Sequence, residues 1–142
     1  MINYRSDVRL SVKQFCELLE HTTLGARRPL DKPDLIEGML KNASLTVTAW
    51  EGESLVGVAR SVTDFAYCCY LSDLAVHEAY QRQGIGRGLI AHTALALPES
   101  AKIILLAAPQ AVDYYPKLGF ERHPQAYTMT VSQAAALAAE VG

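Results

Sequence analysis

Residues 71–86 read LSDLAVHEAYQRQGIG, and the order of elements in this segment is the most informative about the architecture of the chain. Its first part is an apolar run of strand length that ends at Val76. A polar segment with a pair of glycines follows, and a helix is predicted over residues 85–96, before Pro98 ends it. The stretch therefore predicts a strand, a glycine loop and a helix in direct succession.

The chain before this stretch predicts a sheet built by hairpins. Apolar and polar residues alternate over residues 44–50, which is the period of a strand. Residues 51–54 then turn the chain, residues 55–62 read as the partner strand, and residues 67–76 read as a third strand. The three strands are predicted to run antiparallel.

Two helices are predicted ahead of these strands, after a short strand at residues 2–5. Ser11 and Gln14 have the spacing of a capping box, which starts a helix predicted over residues 12–23. Pro33 suits the first position of a second helix, because the N–H that proline lacks would have no partner there. Both helices carry apolar residues on one side and should therefore pack on the sheet.

The end of the chain predicts the remaining elements. Residues 102–107 are a continuous aliphatic run, the pattern of a strand covered on both faces, so this strand should lie deep in the sheet. A short helix is predicted over residues 111–118, and residues 119–120 and 127–131 suggest closing strands. The complete order predicts a mixed α/β fold of the α+β type, with helices layered on a sheet.

Length and charge limit the classes of function. The chain has 142 residues, 50% of them hydrophobic, and its 13 Lys and Arg against 15 Asp and Glu give a formal net charge of −2. This is the profile of one ordinary domain over residues 1–142. A nucleic-acid-binding surface needs a concentrated basic stripe, which this sequence lacks, so no nucleic-acid partner is expected.

Signals for targeting, membranes and metals are also lacking. The first residues carry no apolar signal region, and the longest aliphatic stretch is too short to span a bilayer, so a cytoplasmic location without membrane contact is expected. The four histidines are scattered without ligand spacing, so no metal site is expected. The three cysteines lack the paired spacing of a disulfide framework and are expected to be reduced.

The glycine loop is the strongest signal for chemistry. Gly84 and Gly86 remove Cβ atoms where a backbone must approach a ligand, and the first N–H groups of the following helix point at that ligand. Arg82 and Arg87 add positive charge, so an anionic pyrophosphate fits this environment. A tight loop with glycines needed only for packing is the alternative. No Gly-Lys-Ser/Thr sequence follows, which argues against a P-loop, and Leu89 stands where a dinucleotide-binding fold has its third glycine.

Two segments resemble one protein family. Residues 71–77, followed by Gln81-x-x-Gly84-x-Gly86, resemble the acetyl-CoA-binding motif of the GNAT (Gcn5-related) N-acetyltransferases. Residues 111–120, with a tyrosine before Lys-Leu-Gly-Phe, resemble the second diagnostic segment of the family. The resemblance covers nearly the whole chain. It implies a single GNAT-like domain whose mostly antiparallel sheet is splayed between the fourth and fifth strands.

The resemblance also implies a reaction. Acetyl-CoA would be the co-substrate, and its acetyl group would pass by direct attack to a primary amine of a small molecule or peptide. No metal would be needed, and the protein would be a monomer or homodimer. A non-catalytic acyl-CoA-binding sensor, which keeps the cofactor groove without turnover, is the alternative.

Roles for single residues follow from the resemblance. Backbone groups of three strand residues would pair with the pantetheine arm: Leu74, Ala75 and Val76. The pyrophosphate would be held by seven residues of the loop and helix start: Gln81, Arg82, Gln83, Gly84, Ile85, Gly86 and Arg87. Tyr115 matches the tyrosine of the family, whose phenol can protonate the departing CoA thiolate as a general acid. Packing on the sheet is the alternative role for this ring.

The chain departs from the family pattern at two polar positions. Ala108 stands where many relatives have an asparagine, and Tyr70 stands where some have a glutamate as general base. Asp73, His77 or a water chain would then remove the amine proton. A hydrogen-bonded structural role suits Asp73 equally, and His77 equally suits a solvated loop.

A pair of arginines lies between the two predicted N-terminal helices. In the family this region often lines the acceptor site, where Arg27 and Arg28 would recognise an acidic acceptor. A solvated surface pair is the other interpretation, because most arginines lie on protein surfaces.

Overall fold

The computed structural model describes residues 1–141. The chain forms two compact units, one of residues 1–108 and one that begins at residue 109. The first unit holds a sheet and three α-helices, and the described part of the second holds two short α-helices.

One five-stranded sheet forms the centre of the first unit. Its strands follow the chain order across the sheet: β1 (Ile2–Arg5), β2 (Leu45–Glu51), β3 (Ser54–Thr63), β4 (Cys68–Val76) and β5 (Lys102–Ile104). The first four strands pair antiparallel, whereas β4 and β5 pair parallel. The prediction of a mixed, mostly antiparallel sheet flanked by helices is confirmed.

The core of the first unit has one layer on each face of the sheet. Its helices are α1 (Val12–Leu19), α2 (Pro33–Asn42) and α3 (Ile85–Leu95). Phe15 of α1 and Ile36 of α2 are buried in a cluster with Val58, whereas Ile85 of α3 is buried in a cluster with Ala59. Val58 and Ala59 are neighbours on β3, so their side chains point to opposite faces. The helices α1 and α2 therefore share one face, and α3 covers the other.

Hydroxyl side chains set both ends of α1. Ser11 Oγ accepts a hydrogen bond from the Gln14 N–H, and the Gln14 side chain accepts one from the Ser11 N–H, which confirms the predicted capping box. The helix ends at Leu19 rather than at residue 23. Thr22 Oγ1 donates a 2.9 Å hydrogen bond to the Leu19 carbonyl and so replaces the next helical bond. The predicted position of Pro33 in the first turn of α2 is also confirmed.

The prediction that residues 102–107 form a strand deep in the sheet is wrong. The strand β5 covers Lys102–Ile104 only, and it lies at the edge of the sheet with β4 as its single neighbour. Ile104 and Leu106 are 50% and 57% exposed, whereas Ile103 and Leu105 pack against the core on the α3 side. The run therefore alternates between exposed and partly buried residues, although residues 103–107 are all aliphatic.

The predicted closing strands at residues 119–120 and 127–131 are also wrong, whereas the short helix predicted within residues 111–118 is confirmed as α4 (Tyr114–Lys117). Gly119 follows α4 with a left-handed φ of 101°, which stops the helix. Thr130 and Gln133 form a capping box that starts α5 (Val131–Ala135), so the residues after Thr130 are helical. This local signal overrides the strand propensity of Val131.

Substituting Gly88 by alanine should destabilise the fold, because a methyl group at this position of α3 overlaps the Tyr4 ring and hydroxyl. Tyr4 also packs edge-on against His92, with ring centroids 4.5 Å apart, so the ring is held from a second side. We expect a loss of about 1–3 kcal/mol in the free energy of unfolding, measured by urea denaturation.

Gly38→Ala is the matched control for Gly88→Ala. Gly38 is also helical, but nothing lies within 4 Å of the position of its added Cβ. Its replacement should raise the free energy of unfolding by about 0.5–1 kcal/mol. Equal effects of the two substitutions would contradict the contact between β1 and α3.

Candidate functional site

The main feature of the candidate site is an open edge of β4. The ladder between β4 and β5 consists of the pairs Cys68 with Lys102, Cys69 with Ile103 and Tyr70 with Ile104. After this point β4 continues to Val76, and no strand among residues 1–141 pairs with that part of its β5 side. The predicted splay between the fourth and fifth strands is confirmed.

A β-bulge lies at the start of the open edge. On the other side of β4, Asp73 pairs with Arg60 and Leu71 pairs with Ser61, which leaves Ser72 without an opposite residue on β3. A bulge bends its strand and increases the local twist. It therefore gives a physical reason for the divergence of β4 from β5, and it lies next to the residues predicted to pair with pantetheine.

The backbone of β4 presents hydrogen-bonding groups to the open side. The His77 N–H donates a 2.8 Å hydrogen bond to the Val56 carbonyl of β3. Because successive residues of a strand direct their backbone groups to alternate sides, Leu74 and Val76 present theirs to the open edge, and Ala75 directs its own to β3. The Gln81 side chain donates a 2.8 Å hydrogen bond to the Val76 carbonyl, which ties the glycine loop to the end of the strand.

The glycine loop begins α3 with unpaired backbone donors. Gly84 is the N-cap residue with a left-handed φ of 78°, and the first helical bond runs from the Gly88 N–H to the Gly84 carbonyl at 2.9 Å. The N–H groups of Ile85, Gly86 and Arg87 therefore have no acceptor within the helix. They are available to bind an anion. The side chain of Ile85 is buried in the core, so this residue offers only its backbone.

The electrostatics at this helix start are positive. Gln81, Arg82, Gln83 and Arg87 are exposed, and among residues 1–141 neither of these arginines forms an ion pair. The positive end of the α3 dipole adds to their charge. The structure thus brings together the residues predicted to hold a pyrophosphate, next to the open edge of β4.

Asp73 lies in a buried ion cluster with two arginines. Its side chain is fully buried, the Arg28 Nε donates to Oδ1 at 2.6 Å, and the Arg60 Nε donates to Oδ2 at 2.5 Å. Of the two interpretations of Asp73, this geometry favours the hydrogen-bonded structural one, because neither oxygen is open to an amine. We therefore do not retain Asp73 as the general base. The solvated-pair interpretation is wrong for Arg28, whereas Arg27 is exposed.

Arg60 is a residue that the sequence reasoning missed. It is 6% exposed and lies in β3 within the segment SLVGVARSVT, most of which is buried. A single arginine inside a run of small apolar residues is a signal for a buried ion pair, because a buried charge requires a partner. The sequence could therefore have shown that Arg60 has a carboxylate partner, but not which one.

His77 is the other residue proposed as a base from the sequence. Its Nδ1 accepts a 3.0 Å hydrogen bond from the Ala79 N–H, where it caps the 3₁₀ turn Glu78–Tyr80. The ring stacks on His21 with centroids 4.7 Å apart. Only Nε2 is therefore left to take a proton, and the role of His77 as a base stays a prediction.

A groove of about 400 Å³ lies between α1, the β2–β3 hairpin and the residue after β4. Its lining consists of Gln14, Glu17, Leu18, Glu20, His21, Trp50, Glu53, Leu55 and His77. Three of these residues are carboxylates and none is a lysine or arginine. This groove is therefore a poor place for the phosphates of a cofactor, in contrast to the start of α3.

Tyr115 belongs to the second unit. Its ring packs edge-on against Tyr114 and Phe120, with centroid distances of 5.3 and 5.6 Å. Burial, and to a smaller extent the neighbouring Tyr114, raises the pKa of the Tyr115 phenol above its usual 10.0. The phenol is therefore protonated near neutral pH, as a proton donor must be, and its role as a general acid stays a prediction.

Residues 1–141 contain neither a membrane-spanning helix nor a cluster of metal-binding side chains. No helix there is long and apolar enough to cross a membrane. Nor do three or more His, Cys, Asp or Glu side chains come together there in a way that would hold a metal ion. Cys16, Cys68 and Cys69 are free thiols.

Comparison with known families assigns the chain. It matches the acetyltransferase (GNAT) domain over residues 27–130, which include β2 to β5, the glycine loop and Tyr115. The chain belongs to the GNAT acetyltransferase family.

Individual relatives agree with this assignment. The uncharacterized N-acetyltransferase ycf52 of Gracilaria tenuistipitata var. liui is 34% identical over 101 residues, which are 69% of this chain and 56% of that protein. The histone acetyltransferase TAP1 of Glycine max is 32% identical over 112 residues, 70% of this chain and 47% of that protein. The chain spans about half the length of these curated relatives.

A solved structure also shares the fold. A probable acetyltransferase from meticillin-resistant Staphylococcus aureus superposes with a TM-score of 0.73 at 26% identity. The superposition covers 92% of this chain and 98% of that one. The similarity therefore extends over nearly the full length of both chains.

Gly84→Ala should lower the free energy of unfolding by about 1–2 kcal/mol, because an L-residue with a side chain is strained at this φ. Nothing lies within 4 Å of the added Cβ, so the cost is backbone strain and not a clash. Gly84→Asn should cost less, since asparagine tolerates the left-handed region. Urea denaturation of both variants measures the difference, and equal losses would argue against the left-handed assignment.

Proposed function

We propose that this protein transfers an acetyl group from acetyl-CoA to a primary amine of a small molecule or peptide. The observation that carries the proposal is the combination of an open β4 edge with a cationic helix start directly beyond it, in a chain of the GNAT family. A linear ligand with a peptide-like arm and an anionic end matches this combination in shape and charge. Acetyl-CoA is such a ligand.

Residues of the open edge and of the α3 start would contact three parts of acetyl-CoA. The pyrophosphate would accept hydrogen bonds from the N–H groups at the start of α3 and would lie near the charges of Arg82 and Arg87. The amides of the pantetheine arm would pair with the outward backbone groups of Leu74 and Val76, as an added strand does. The thioester would then lie close to the bulge at Ser72, where β4 and β5 separate.

The chemistry proposed is direct attack without an acyl-enzyme. The neutral amine nitrogen bonds to the thioester carbonyl carbon, the amine loses a proton to a base, and the C–S bond breaks to release the CoA thiolate. The thiolate takes a proton from Tyr115 or from water. Backbone N–H groups on the open edge of β4 would stabilise the negative oxygen of the tetrahedral intermediate, a contribution of about 3 kcal/mol per donor. Holding thioester and amine side by side supplies much of the rest.

A direct experiment tests the proposal. CoA thiol release from acetyl-CoA is measured across a panel of amines, and acetyl-CoA binding is measured by calorimetry. Binding together with amine-dependent thiol release supports the transferase. Binding without thiol release for any amine would support the alternative, a non-catalytic acyl-CoA sensor. This alternative is motivated by Ala108 and Tyr70, which stand where relatives have the asparagine and the glutamate.

Arg82→Gln should weaken acetyl-CoA binding by about 1–3 kcal/mol, because it removes a positive charge beside the proposed pyrophosphate site. Arg9→Gln makes the same change of charge at another exposed arginine that forms no ion pair among residues 1–141. Calorimetry at one salt concentration compares the two variants. If both bind acetyl-CoA equally well, Arg82 has no role in holding the phosphates.

Tyr115→Phe should lower kcat by about 10²-fold while the KM for acetyl-CoA stays nearly unchanged, if the phenol protonates the leaving thiolate. The ring remains, so the melting temperature should change little. Tyr127→Phe is the control in the same unit, because Tyr127 is 94% exposed. A folded Tyr115→Phe variant with the parent kcat would leave packing as the role of this ring.

A further inference from the structure

The buried ion cluster makes more hydrogen bonds than the ion pairs themselves. Arg28 Nη2 donates to the Ser72 carbonyl at 2.8 Å, and Arg60 Nη2 donates to Ser72 Oγ at 3.0 Å. Both guanidinium groups thus hold Asp73 and Ser72 at the same time. Since Ser72 is the bulge residue without an opposite partner on β3, these bonds replace the strand pairing that it lacks.

The cluster also joins four segments of the first unit. Arg28 follows the 3₁₀ turn Gly25–Arg27 in the link between α1 and α2, Arg60 lies on β3, and Asp73 lies on β4. Arg60 Nη1 adds a bond of 3.2 Å to the Met39 carbonyl of α2. The link between the helices is therefore fixed to the strand at the position where β4 bulges.

The charges in the cluster do not cancel. Two guanidinium groups face one carboxylate, which leaves one excess positive charge, and the side chains of Arg28, Arg60 and Asp73 are 22%, 8% and 0% exposed. Replacing a buried ion group by apolar residues is often neutral or stabilising, so stability alone is a weak reason for such a cluster. A role in fixing local geometry explains the two arginines better than stability does, because a planar guanidinium group holds two acceptors at defined angles.

We propose that Arg28 and Arg60 are positioning residues, which act through Asp73 and Ser72 to fix the bulge and thereby the direction of the backbone groups on the open edge of β4. The inference rests on the proposed function, since it concerns the strand on which the thioester would lie. The cluster faces α1 and α2 rather than α3. Loss of the cluster's hydrogen bonds should therefore change the position of the reacting thioester carbonyl. It should leave the pyrophosphate contacts at the start of α3 unchanged.

Arg28→Met is the most informative variant. It removes the donors to Asp73 and Ser72 but leaves Asp73 paired with Arg60 as a neutral pair, so the variant should fold. Arg9→Met is the matched control, because Arg9 is exposed, forms no ion pair among residues 1–141 and undergoes the same change of charge. Arg28→Lys is a third variant, which keeps the positive charge but lacks the planar guanidinium group. Its activity should lie between those of Arg28→Met and the parent protein.

Two measurements are made on each variant. Amide hydrogen exchange is followed at Asp73 and Ala75, which lie in the β3–β4 ladder, and steady-state kinetics give kcat and the KM values for acetyl-CoA and for the amine. In Arg28→Met we expect exchange at least about tenfold faster at these amides. We also expect kcat to be lower by about tenfold to a hundredfold, with both KM values within about threefold of the parent. Arg9→Met should match the parent protein in both measurements.

The outcomes separate the inference from the function on which it rests. Unchanged exchange in Arg28→Met, or faster exchange with the parent kcat, would overturn the positioning role. A raised KM for the amine with unchanged exchange would overturn it too, and would make Arg28 an acceptor-binding residue. If the parent protein transfers no acetyl group to any amine, the proposed function fails, whereas the exchange measurement still decides whether Arg28 fixes the bulge.

Discussion

The ladder between β4 and β5 stops after the pair Tyr70 with Ile104, and the candidate site depends on this early stop. Before the stop, β4 has a neighbour on each side. Beyond it, the strand keeps β3 but directs the backbone groups of Leu74 and Val76 to an open side. The bulge at Ser72 lies at this transition, so one extra residue in β4 accounts for both the bend of the strand and the place of the opening.

Local signals in the sequence were enough to predict the strand, the loop and the helix around residues 71–86. These signals are strand periodicity, a pair of glycines and a proline. Each acts over a few residues, so each can be recognised without knowledge of the fold. The ion cluster could not be predicted in the same way. Arg28 and Arg60 lie 45 and 13 residues from Asp73, and only the antiparallel pairing of β3 with β4 brings Arg60 and Asp73 together. The sequence therefore gives Asp73 two possible roles, general base or hydrogen-bonded structure, and only the fold shows the two arginines that favour the second.

The two wrong strand predictions have different physical causes. Residues 103–107 are all aliphatic, and hydrophobicity alone does not tell a central strand from an edge strand. The sheet order decides, and it puts β5 at the edge. At residues 127–131 the necessary signal was present in the sequence. Thr130 and Gln133 have the same spacing as Ser11 and Gln14, and both pairs form capping boxes in the structure. The hydrogen bonds of this capping box outweigh the strand propensity of Val131.

The open edge of β4 also has a consequence for the behaviour of the protein in solution. A strand edge with free N–H and C=O groups is a template on which another chain can add a strand, and proteins usually cover such edges or place charges on them. From Leu71 to Val76, the only charged side chain is that of Asp73. It is buried with Arg28 and Arg60 and therefore places no charge on the open edge. A ligand that occupies the edge removes the template. Strand addition and ligand binding at this edge would use the same backbone groups of β4, so each would exclude the other.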